Sequence, residues 1–99
     1  MNEKALLGKG IRLVMEEAKL TCSMAKDCDK NNDEASSALF GFSKYLEALY
    51  DFINKSDFTI FAGNIFTEVK NYSIGKKDYD STIKEITEYE KAFSNKFLK

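Results

Sequence analysis

The chain has 99 residues, 43% of them hydrophobic, which fits a single domain over residues 1–99 with a modest core. Its 15 basic and 16 acidic residues leave a net charge of −1, so there is no basic field to hold a nucleic acid. With no proline or tryptophan and only five glycines it lacks the punctuation of a strand-and-turn protein, which predicts an all-α fold.

Residues 3–26 carry Leu7, Ile11, Val14, Ala18, Thr21 and Ala25 at alternating steps of four and three. Leu6, Leu13, Leu20 and Met24 run alongside and widen this apolar face, so the spacing predicts a first helix. Gly8 and Gly10 each cost about 1 kcal/mol relative to alanine in a helix interior, so the first two turns are expected to fray. The polar run KDCDKNNDEASS then reads as a surface connection, with Asp33 or Asn32 as the N-cap of the next helix.

The second helix is marked by Ala35, Leu39, Phe42, Leu46, Leu49 and Ile53, widened by Phe40, Tyr45, Tyr50 and Phe52. Beyond Ile53 the apolar register changes to Phe58, Phe61, Ile65, Val69 and Tyr72, with NKSD between the two sets. Either the helix stops and restarts with Ser56 or Asp57 as N-cap, or it continues through a stutter. Gly75 follows as a left-handed C-terminal glycine, and a last helix from about Asp78 places Tyr79, Ile83, Ile86, Tyr89, Phe93 and Phe97 on one face. The expectation is an antiparallel bundle of three or four helices.

The sequence offers little chemistry. Without histidine there is no usual general base, no histidine-activated nucleophile and no most common metal ligand. Cys22 and Cys28 are six apart and have no further cysteine or histidine to complete a zinc site, so a plain thiol role is expected. The stretch from Asp27 to Ala38 begins like a calcium loop but has Asn32 where that loop needs glycine and Ala38 where it needs glutamate. Glu3, Glu16, Glu17, Glu47 and Glu68 lack the histidines that accompany carboxylate-bridged metal sites in bundles. No enzymatic activity and no cofactor are expected. The opening MNEKALLGKGIRLV lacks the long apolar core of a secretion signal, and the expected setting is a reducing cytoplasm.

The aromatic residues point instead to contact. Eight Phe and five Tyr exceed what a minimal bundle core needs, and Phe40, Phe58, Phe66 and Phe97 fall off or at the edge of the stripes. These four are the expected partner-binding positions, for another protein or for a second copy in a homo-oligomer.

The segments FSKYLEALYDF and IFTEVKNYSIGKKDYDSTIKEITEYEKAF combine an aromatic and leucine stripe, an apolar-x-x-apolar run, and paired lysines ahead of a Y-D…E-Y segment. From about Ala38 to Leu98 the chain thereby resembles the C-terminal part of BAR domains, the helical dimers that bind curved membranes. That resemblance implies a self-associating module with weak affinity for anionic membranes. It implies an uninterrupted middle helix, and it assigns Lys70, Lys76 and Lys77 to the lipid-facing surface, at about 1 kcal/mol each near such a surface. In the other reading these lysines solvate a helix junction. The rival to the whole assignment is a small helical regulatory, immunity or inhibitor protein that binds and controls a partner.

Overall fold

The computed structural model describes residues 2–27 and 33–99. Among them the chain forms four helices, α1 (Glu3–Asp27), α2 (Asp33–Phe52), α3 (Ser56–Ser73) and α4 (Tyr79–Phe97), and no strand. The Asn32 cap, the Cys28 thiol and residues 28–32 of the calcium-like run lie outside the described residues, while Asp33 is the first residue of α2.

The middle of the chain breaks, and this settles the choice between three helices and four. Ile53 N–H still donates to Leu49 C=O, but Lys55 N–H turns to Ile53 C=O and α3 starts at Ser56. The expected caps, Ser56 and Asp57, sit instead inside the first turn. Lys55 occupies the cap position in extended backbone, φ −129° and ψ 125°, and its side chain makes no capping bond. The uninterrupted middle helix that the BAR resemblance implies is not present.

At the other junction local sequence decides the geometry. Gly75 adopts φ 81°, a left-handed conformation that favours glycine, and its N–H donates to Tyr72 C=O just after α3 ends. Asp78 caps α4 by accepting from the Ser81 N–H at 2.7 Å and from the Ser81 hydroxyl at 3.0 Å. These bonds, the backbone one first, hold the Asp78 carboxyl below its ordinary range.

Contacts between side chains set the helix directions. Gly10 of α1 meets Ile53 and Phe58, so α1 begins where α2 ends and α3 begins. Phe61 stacks on Phe93 at 4.8 Å and Tyr72 meets Tyr79 edge-on at 5.6 Å, which makes α3 and α4 antiparallel. Lys26 lies over the Tyr79 ring at 4.3 Å, so α4 also runs against α1. α1 and α3 form the central pair; α2 covers one side and α4 the other, and α2 does not touch α4 among the described residues.

The core is built from Leu7, Ile11, Val14, Ala18 and Cys22 of α1, Phe42, Leu46 and Leu49 of α2, Phe58, Phe61, Ile65 and Val69 of α3, and Ile86 and Phe93 of α4. Gly10 opens no weak point in this packing. The helix is continuous from Glu3, and a Cβ at Gly10 would stand 2.3 Å from Ile53 Cδ1 and 2.9 Å from Phe58 Cε1. The missing side chain is what lets the α2–α3 break press against α1. Buried hydroxyls are satisfied locally: Thr21 donates to Glu17 C=O at 2.7 Å and Thr82 to Asp78 C=O at 2.8 Å.

Candidate functional site

Among the described residues no three acidic or cysteine side chains converge in a way that could hold a metal ion. Glu68, one of the five glutamates of the expected carboxylate set, is bonded to Lys77. The Cys22 thiol is fully enclosed, and burial pushes its pKa up to about 11, which leaves almost no thiolate near neutral pH.

The four aromatic positions expected to meet a partner separate into three classes. Phe58 is wholly buried, 0% exposed, which overturns its assignment to a contact surface. The cause is the chain break: α3 restarts just before it, so Phe58 is the first core residue of the new stripe and seats against Gly10. Phe66 and Phe97 are half-buried and rest on neighbouring rings, Phe66 on Phe42 at 5.8 Å and Phe97 on Phe93 at 4.6 Å. Phe40 is open to solvent at 64% exposure, with the Lys44 ammonium 5.3 Å from its ring centre.

The three lysines expected at a membrane are also unequal. Lys70 and Lys76 are exposed and flank Ile74, itself 51% exposed at the tip of the α3–α4 turn. Lys77 instead donates across that turn to Glu68, a bond that raises its pKa above the ordinary lysine value. Its charge is balanced inside the chain.

A mainly apolar surface lies elsewhere, on the outer side of the α1–α2 seam. A groove of about 220 Å³ runs there between Leu6, Lys9, Gly10 and Leu13 of α1 and Leu49, Phe52 and Ile53 at the end of α2. The end of α2 approaches α1 closely at Gly10, with Leu6 and Leu13 half-buried in the groove and Phe52 on its rim, 78% exposed. Leu20, two turns beyond Leu13, extends the stripe along α1 at 53% exposure. On the α2 side Tyr45 lies near Glu17 and Glu16, and burial first, then these carboxylates, raise its pKa.

The sequence signal for this surface was the width of the α1 stripe. Leu6, Leu13 and Leu20 were visible beside the core positions, but only the placement of α2 shows that the first two are half-buried and Leu20 is left open. A comparison with protein-family models, with curated proteins and with solved structures finds no match to this chain.

Proposed function

We propose that the chain is a non-enzymatic helical module that works by protein–protein contact through the outer seam of α1 and α2, with no cofactor, in a reducing cytoplasm. The observation that carries this is the groove between α1 and α2, where Leu6 and Leu13 are only half-buried, together with Phe52 on its rim and Leu20 further along α1, both open to solvent. Contiguous apolar surface of this kind mostly marks an interaction site. The break at Asn54–Lys55 gives a compact bundle measuring 44 × 24 × 17 Å, which suits the small regulatory or inhibitor reading better than an elongated membrane-curving one.

A photoreactive residue placed at Leu20 tests this in cells that express the chain natively. Protein adducts are expected at Leu20 and absent for the same probe at Lys84, an exposed position on α4. Absence of any protein adduct from both Leu20 and Phe52 contradicts the reading.

Peripheral attachment to an anionic membrane stands as the second reading, because Ile74 projects between two lysines that remain exposed. It expects salt-sensitive sedimentation with anionic vesicles that is lost in a Lys70→Glu, Lys76→Glu variant. No helix among the described residues is long and apolar enough to cross a membrane.

A further inference from the structure

We infer that the seam is covered by a second copy of this chain, with α1 packed antiparallel to α1 of the partner about a two-fold axis at Leu13. The inference rests on the contact reading above and names the partner.

Its first support is spacing. Leu6, Leu13 and Leu20 are seven residues apart, so they follow one line along α1. Reversing that line about Leu13 lays Leu6 on Leu20 of the other copy and Leu13 on itself. An isologous interface demands this self-complementarity, and an unrelated partner does not.

The charges follow the same symmetry. Lys9 and Glu16 are also seven residues apart and so follow a second line beside the leucines; both are exposed, and neither has an ion-pair partner among the described residues. Across a two-fold axis perpendicular to the helices each flank meets the same flank of the other copy, which brings Lys9 beside Glu16, twice per dimer. A parallel in-register pair would set lysine level with lysine.

The third support comes from α2. Gly41, Tyr45, Ala48 and Phe52 recur at steps of four and three and so share one flank of that helix, of which Phe52 lines the groove. Glycine inside a helix is unfavourable, and a Cβ at Gly41 would meet nothing within 4 Å of this chain. The chain's own packing therefore gives no reason for a residue without a side chain there. A second chain approaching this flank does, because Gly41 and Ala48 form a flat step on which an exposed aromatic ring such as Phe52 can rest.

The stripe from Leu6 to Leu20 is about 21 Å long and two helices, about 20 Å, wide, or roughly 400 Å² per copy in projection. Two copies would cover roughly 800 Å² between them, under the ~1,000 Å² that a stable interface usually clears, so the dimer is weak and reversible.

Light scattering on the purified chain, from about 1 µM upward, tests this. The mass is expected to rise from the 11.3 kDa of one chain towards twice that value. Leu13→Glu holds it at the monomer value; should that variant fail to fold, Leu20→Glu, at a more exposed position, gives the same reading. At low salt Lys9→Glu and Glu16→Lys each weaken the dimer by about threefold to tenfold, and the double variant restores it because exchanging both charges regenerates the pair. A monomer at every concentration, a dimer indifferent to both leucine variants, or a double variant no better than the singles overturns the inference. A monomer that still gives protein adducts at Leu20 overturns self-association alone, and a monomer without adducts removes the contact reading as well.

Discussion

The two sides of α1 are made of the same residue types and have opposite fates. Leu7, Ile11, Val14 and Ala18 are closed over, whereas Leu6 and Leu13, one position away in sequence, are only half-buried in the groove beside α2, and Leu20 is open to solvent. The difference lies in where the neighbouring helices land. Gly10 admits the α2–α3 break against the α1 backbone, and that single close approach fixes which leucines α2 covers and which it leaves. Apolar character therefore says that a residue is to be covered, and tertiary placement says by what.

The sharpest way to break this comparison is to truncate one phenylalanine from each side. Phe58→Ala removes a ring that is 0% exposed and is expected to cost about 3 to 5 kcal/mol by denaturant unfolding. A smaller but diagnostic loss is expected at the wedge. Gly10→Ala forces Ile53 and Phe58 aside, an overpacking cost of about 1 to 3 kcal/mol partly offset by alanine's better helix propensity. Shortening Ile53 to valine in the same chain should recover part of that loss, because its Cδ1 is the nearest obstructing atom; no recovery would show that the wedge is not what limits the site.

Next in size is the α4 cap. Asp78→Ala should lower the melting temperature by a few degrees at neutral pH. The folded pKa of Asp78 lies below the ordinary 3.8, so its contribution is present above that value and fades as pH falls through the lower folded value. The gap between wild type and variant should close in acid, and a gap that stays constant with pH would remove the cap as its cause. The smallest effect on stability is expected at Phe52. Phe52→Ser exposes no core and should stay within about 0.5 kcal/mol of wild type in the unfolding experiment, while it weakens association.

Much of the fold was legible because it is written locally. The stripes of α1, α2 and α4, the left-handed Gly75 and the start of α4 near Asp78 all depend on residues within a few positions of one another. The NKSD junction remained open between a break and a stutter because its caps are poor: Lys55 takes the cap position with no side-chain bond, and neither Ser56 nor Asp57 serves. Phe58 was misplaced at the surface because its burial depends on a glycine 48 positions earlier in the sequence. Lys77 was grouped with Lys70 and Lys76 because its carboxylate, Glu68, lies nine residues back on the far side of a turn. The open seam was hidden for a similar reason, since the width of the α1 stripe was evident and the position of α2 across it was not.

The account turns on the outer leucines of α1 serving contact while the inner ones serve folding. The most direct measurement is the light-scattering mass of Leu20→Glu, read beside its denaturant midpoint. The account predicts an unfolding midpoint close to wild type, together with a mass that stays at 11.3 kDa where wild type approaches twice that value. A variant with the wild-type mass, or one whose midpoint collapses as that of Phe58→Ala does, would contradict the division of α1 into two working faces.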